Sequence, residues 1–349
     1  MSLEAKKFEI FSGTGGVGKT TLATSRAIEI AESGKKVLLI TIDPAKRLKE
    51  LLSLDSEDAG NITHVPDPFN EKSSIELYVE LLNPSSTFER IAKQSGSPEI
   101  LENKIVKVLT RPYGGLNEIL AMVELNIQYQ SNNFDVIVLD TPPGTHFLDF
   151  LDSVDRIRMF FDQSFIDIFN YLGKKVETSN KGLGKRMMDI VVSSGVKKLL
   201  SYLNKVTGDK FIDDFVEAII AIYKTKKTFL DALGLQKILK DSEFSNWFLV
   251  TSVEQNKLNE ALELRDRAQG LMTNKSYIAL NKCIEGNLNK WEPTPDSTEY
   301  NLKRSLIKRE SYLKNNLAEI CEKVLEFPEI FSISPLEHVH QLTKSWKTI

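Results

Sequence analysis

The sequence predicts an α/β fold built on a doubly wound, mostly parallel sheet, and three observations support this. Short apolar runs alternate with helical patterns in the first third of the chain, the pattern of a parallel sheet with crossover helices. A glycine-rich loop, residues 13–20, falls where one such run gives way to a helix. The strand signature then returns late, after residues 151–240, which show helical patterns without a convincing strand.

In chain order, residues 8–11 read as the first strand. A helix from 19 to 33 follows, with Leu22, Ala23, Ala27, Ile30 and Ala31 on one stripe and Gly34 as its stop. Residues 37–42 read as a strand buried on both faces. A long helical pattern with Leu120, Met122 and Ile127 precedes a second buried strand at 135–139, which ends at Asp140-Thr141-Pro142-Pro143-Gly144. Runs 247–251 and 277–281 repeat the strand signature, with a charged helix at about 256–270 between them. The domain reading is therefore a core in two parts, 1–150 and 241–349, interrupted by a helical insertion at 151–240. Leu342, Trp346 and Ile349, interleaved with Lys344 and Lys347, form a last apolar stripe. It reads as a helix docked on the sheet, ahead of the alternative of a helix lying on a membrane surface.

Composition excludes several classes. The 349 residues are 41% hydrophobic and 27% charged, as in globular proteins. With 45 Lys plus Arg against 48 Asp plus Glu, the net charge of −3 exerts no general pull on nucleic acid. Cys283 and Cys321 are too few and too far apart for a disulfide framework or a cysteine metal site, so a reducing cytoplasm is expected. The first apolar run is too short for a signal-peptide core, and no apolar stretch reaches the length of a bilayer span. His64, His146, His338 and His340 read as ordinary surface or loop residues.

The chemistry gathers at Gly13-Thr14-Gly15-Gly16-Val17-Gly18-Lys19-Thr20, which fits G-x-x-x-x-G-K-[ST] in the required strand-to-helix context. Its glycines let successive backbone N–H groups curl around a phosphate, and the following helix adds its positive end. Lys19 is expected to reach the β- and γ-phosphates of ATP, and the Thr20 hydroxyl to ligate magnesium. Asp43, in Thr41-Ile42-Asp43-Pro44-Ala45, lies past a strand's carboxyl end, where it could orient an attacking water; a strand-ending Asp-Pro turn is the competing reading. Asp140 closes the second buried strand, the pattern of a carboxylate that meets magnesium directly or through water. The segment 141–146 would then act as a switch that senses the γ-phosphate.

These residues resemble the arsenite-pump ATPase family, which includes the ATPases for guided entry of tail-anchored proteins. Residues 13–21 read GTGGVGKTT where the family has GKGGVGKTT, with Thr21 included. Asp43-Pro44-Ala45 matches its first switch, and the run from Asp140 to His146 resembles its second. Asn281 looks like the family's adenine-contacting asparagine, and Pro335-Leu336-Glu337-His338-Val339 resembles its adenine loop. The resemblance implies a homodimer with facing nucleotide sites and a composite surface made by the insertions, there for a hydrophobic helical client.

Three departures stand out. Thr14 replaces the lysine that family members send across the dimer to the partner's phosphates. Lys46 and Arg47 follow the first switch where relatives have His and a small polar residue, and either cation could compensate. Two cysteines provide neither the family's arsenite cluster nor its C-x-x-C zinc, so no arsenite or zinc site is expected. The insertion is rich in large apolar residues, among them Phe160, Phe161, Ile219, Ile220 and Tyr223, which either form a client groove or pack on one another, the second being ordinary behaviour for apolar helices. The expectation is a cytoplasmic ATPase switch whose membrane contact is at most peripheral. Its rivals are a Min/Par-type positioning ATPase and a nucleotide-dependent scaffold with negligible turnover.

Overall fold

The computed structural model describes residues 3–42, 48, 52, 59–70, 73–110, 116–160, 214, 218, 222–270, 272, 276–320 and 323–349. The chain forms two compact units. One comprises Met1–Leu82, Gln128–Leu151 and Gln236–Ile349; the other comprises Asn83–Ile127 and Asp152–Leu235.

The first unit is built on eight strands: β1 (Phe8–Gly13), β2 (Val37–Thr41), β3 (Ile62–Val65), β4 (Leu77–Leu81), β5 (Val136–Asp140), β6 (Ser245–Ser252), β7 (Ser276–Cys283) and β8 (Val324–Pro328). They lie in the order β3-β4-β2-β5-β1-β6-β7-β8, and every neighbouring pair is parallel except β3 with β4. This is the α/β fold of the P-loop nucleoside triphosphatases. The five strands read from sequence all form, as β1, β2, β5, β6 and β7, and the first four of these are buried at every position, as unbroken apolar runs require. Three strands were not anticipated. β3, with the exposed Ile62 and the half-buried Thr63, pairs antiparallel at one edge, while β8 ends in Pro328 at the other. β4 carries Glu80, which breaks its apolar run although it is fully buried.

The helix α1 (Lys19–Glu32) leaves β1 through the glycine loop and is pinned beneath the sheet by a buried ion pair. Arg26, 1% exposed, donates from Nε to Glu9 on β1 at 3.0 Å and from Nη1 to Glu29 at 2.8 Å. Burial raises the Glu9 carboxyl above its usual range, and the Arg26 guanidinium opposes the shift.

The last helix, Pro335–Trp346, docks on α1 and the sheet, as its stripe predicted. Trp346 is fully buried, 4.5 Å from Phe327 and 5.5 Å from Phe248 between ring centroids, and its indole donates to Ser25 Oγ at 2.9 Å. Leu342 is likewise fully buried, so the stripe is covered by the fold itself and not held out for a membrane surface. Among the described residues no helix is long and apolar enough to cross a membrane.

In the second unit, the helix Pro84–Gln94 is capped by Asn83, and its Phe88 and Ile91 are fully buried. Thr87 donates to the buried Glu124 at 2.8 Å, and Arg90 pairs with the same carboxylate. Asn103 caps the short helix Lys104–Leu109 and donates to the Asp214 carbonyl at 2.7 Å. Of the apolar residues expected to build the insertion, Tyr223 is half-buried, while Phe161, Ile219 and Ile220 lie outside the described residues.

Candidate phosphate-binding site

Strand order reverses about β1: the chain proceeds to β2 on one side, returns to insert β5, and later adds β6 on the other side. Ligands of open α/β sheets collect at the carboxyl ends of strands at such a switch point. Here the register aligns Phe11 with Asp140 and Thr41 with the same Asp140, so the ends of β1, β2 and β5 converge.

From the end of β1 the chain turns through the loop. Gly13 has no room for a side chain, because a Cβ there would stand 2.3 Å from the Val250 carbonyl oxygen. Gly15 and Gly16, by contrast, face open space, and Gly16 takes φ 80 in the left-handed region. Val17 is 1% exposed and roots the loop in the core. α1 then begins with no side-chain cap, Gly18 being its left-handed N-cap residue. A helix start with uncapped N–H groups directed at a glycine loop is a site for an anion.

The polar residues converge as their spacing required. Lys19, 8% exposed, donates to the Thr14 carbonyl at 3.3 Å. The Thr20 hydroxyl donates to Asp140 Oδ2 at 2.7 Å, and Thr41 donates to the same oxygen at 3.1 Å. A hydroxyl and a carboxylate in direct contact beside an anion cradle are hard oxygen donors of the kind magnesium takes, so the residues fit that ion. No group of three or more His, Cys, Asp or Glu that could hold a metal on protein ligands alone occurs among the described residues. The segment after Asp140 is tied to the loop: Gly144 donates its N–H to the Gly13 carbonyl at 3.2 Å, and Thr141 donates N–H and hydroxyl to the Phe11 carbonyl at 3.2 and 2.8 Å.

A cleft of about 370 Å³ opens beside this junction, lined by Thr14, Gly15, Pro143, Gly144, Glu260, Glu263, Leu264 and Arg267. The last four lie on the helix Gln255–Arg267, which sequence reasoning read only as a charged crossover. The Thr14 hydroxyl is buried and has no hydrogen-bond partner among the described residues, and the same is true of Thr21.

Asn281 joins the site in a way its motif did not foretell. It is 3% exposed and donates from Nδ2 to the Val17 carbonyl at 2.9 Å, while its Oδ1 is buried without a partner among the described residues. Lys282, missed in the sequence, donates to the Gly16 carbonyl at 3.3 Å; the signal available was its place directly after the run 277–281 that reads as a strand. Pro335 stands exposed in the first turn of the last helix, behind the N-cap Ser334. Asp43, Lys46 and Arg47 lie outside the described residues.

With this geometry in place, comparison with known proteins identifies relatives. The family model described as anion-transporting ATPase matches residues 6–320. The chain is 27% identical over 226 residues to a protein of Babesia bovis described as an ATPase ASNA1 homolog, covering 63% of this chain and 60% of that protein. It is 31% identical over 148 residues to a Schizosaccharomyces japonicus protein described as ATPase get3, covering 42% and 43%. A putative arsenical pump-driving ATPase of Aquifex aeolicus is 26% identical over 167 residues, covering 45% and 40%. These matches span 60% or less of each relative's length.

Proposed function

The chain belongs to the anion-transporting ATPase family, and from that membership we propose that it binds ATP with magnesium at residues 13–21 and hydrolyses it to switch between two conformations. The observation that carries the proposal is the 2.7 Å contact of Thr20 with Asp140 at the mouth of an uncapped, glycine-lined helix start. Backbone N–H groups of the loop hold the β-phosphate, and Lys19 places its charge on the β- and γ-phosphates. Thr20 and Asp140 would hold magnesium, which when bound would supply positive charge against that developing on the phosphate oxygens. Asp43 orients the attacking water, since phosphoryl transfer asks of the protein mainly position and charge.

The family's dimer and client logic completes the reading. Two chains would pair with their nucleotide sites facing each other, and release of the γ-phosphate would relax residues 141–146 and so alter how a helical client surface is presented. The relatives named for such ATPases motivate this, as does the bond from Gly144 to the loop itself. Asn281, with its unpartnered Oδ1, suits the exocyclic amine of adenine, and Pro335 would border the same base. A second reading, a nucleotide-dependent scaffold of low turnover, is favoured by Thr14, a neutral side chain where the family's trans-acting lysine would stand.

Lys19→Ala decides the central claim. The wild type is expected to release phosphate from Mg-ATP and the variant to lose at least about 100-fold in kcat/KM, as removal of a transition-state charge does. Retained hydrolysis in the variant would refute the assignment. Wild type that binds ATP without turning it over would favour the scaffold.

A further inference from the structure

β7 does not end as a regular strand. Its register with β8 shifts between Leu280 and Cys283, and at that shift Lys282 takes φ 62, in the left-handed region that non-glycine residues seldom adopt. Such a backbone persists only where the surroundings hold it. Here the surroundings are the phosphate loop. Consecutive residues of a regular strand point to opposite faces, yet Asn281 and Lys282 both reach the loop, one on the Val17 carbonyl at 2.9 Å and the other on the Gly16 carbonyl at 3.3 Å.

The consequence follows from peptide planarity. The carbonyl of one residue and the N–H of the next belong to one rigid trans unit and point in opposite directions. A donor holding the Gly16 carbonyl from outside therefore turns the Val17 N–H inward, and a donor on the Val17 carbonyl does the same for the Gly18 N–H. The packing agrees, since a Cβ on Gly18 would stand 2.4 Å from Asn281 Nδ2, so the bulged strand end and the loop lie in contact.

We propose that Lys282 is a positioning residue of the anion cradle, orienting the Gly16–Val17 peptide so that its N–H faces the polyphosphate. It acts through the loop, with no contact to the base. The ammonium also withdraws electron density from the carbonyl it holds, which makes the opposed N–H a better donor. The proposal rests on the phosphate loop being the nucleotide site. It goes beyond that reading by assigning a role to a residue outside the phosphate-loop, switch and adenine motifs.

The test uses the full chain and three ligands, Mg-ATP, Mg-ADP and inorganic tripolyphosphate, the last having no base. Lys282→Met keeps the stem and loses the donor, Lys282→Arg keeps a charged donor, and Lys282→Ala guards against a defect peculiar to the Met side chain. The expected result is a Kd raised about tenfold for all three ligands in Met and Ala, the effect of one charge-assisted hydrogen bond. Arg should return it to within about threefold of wild type, with kcat at saturating ATP little changed in each variant. Unchanged Kd values in Met and Ala overturn the proposal. So does weakened ATP binding with unaltered tripolyphosphate binding, which would place Lys282 on the base instead of the loop. If the wild type itself binds none of the three, the phosphate-loop reading falls first and this one with it.

Discussion

Gly13 is glycine because the Val250 carbonyl on the adjoining strand leaves it no space, whereas Gly16 is glycine because its backbone takes φ 80, in the left-handed region that side chains seldom adopt. One motif thus carries two physical demands that its letters alone do not distinguish. Thr14 shows the same gap from the other side: its identity was plain as a departure, but its buried hydroxyl in the cleft beside Gly144 and Arg267 became visible only in three dimensions. Cys283 offers a test at this scale. Burial, with Glu310 adding to it, pushes its thiol from 9.0 up to about 12, and Lys314 opposes the shift. The folded-state value is the higher one, so this group's contribution to stability is whole below the unfolded value and fades as pH rises towards about 12. In a Cys321→Ser background, native protein between pH about 9 and 11 should show no thiolate absorbance and alkylate slowly, while unfolded protein ionises normally. Rapid native alkylation in that window would contradict the burial argument.

Among the elements, the last helix is the clearest case of sequence pattern becoming packing. Its stripe put Leu342 and Trp346 on one face, and that face meets Ser25 of α1 and the aromatic rings of Phe248 and Phe327. Trp346→Ala removes a fully buried indole and its bond to Ser25, and the expected cost is about 3–5 kcal/mol in chemical denaturation. A loss under about 1 kcal/mol would mean that the helix is not bound as described. The strands that went unread have a common cause. Glu80 in β4 and Glu326 with Pro328 in β8 interrupt the apolar run that marks a buried strand, and β3 is largely exposed. The five strands that were read include the two whose ends carry the loop and Asp140, so those elements of the site were legible before the sheet was complete.

For the whole molecule, nucleotide and magnesium should act as ligands of the folded state. At free Mg-ATP about a hundredfold above Kd, linkage adds roughly 2.7 kcal/mol, which scanning calorimetry reads as a higher Tm. Chelating the magnesium should remove part of that gain, because on the proposed reading Thr20 and Asp140, in contact at 2.7 Å, would hold the ion that neutralises the phosphates. A Tm that ignores Mg-ATP altogether would count against the site.

The parallel α/β class, the glycine loop, the strand-ending Asp140 and the docking stripe were all written locally, in apolar period, glycine spacing and a strand-end carboxylate, and such signals survive without a structure because each depends on neighbours in the chain. Contacts between residues hundreds of positions apart are different. That Asn281 and Lys282 grip the carbonyls of Val17 and Gly16, that the helix Gln255–Arg267 walls the cleft beside Thr14, and that β8 closes one edge were settled by the sheet order, which brings β7 to the loop. A one-dimensional pattern states which face of an element is apolar, and only the assembled sheet states what that face meets.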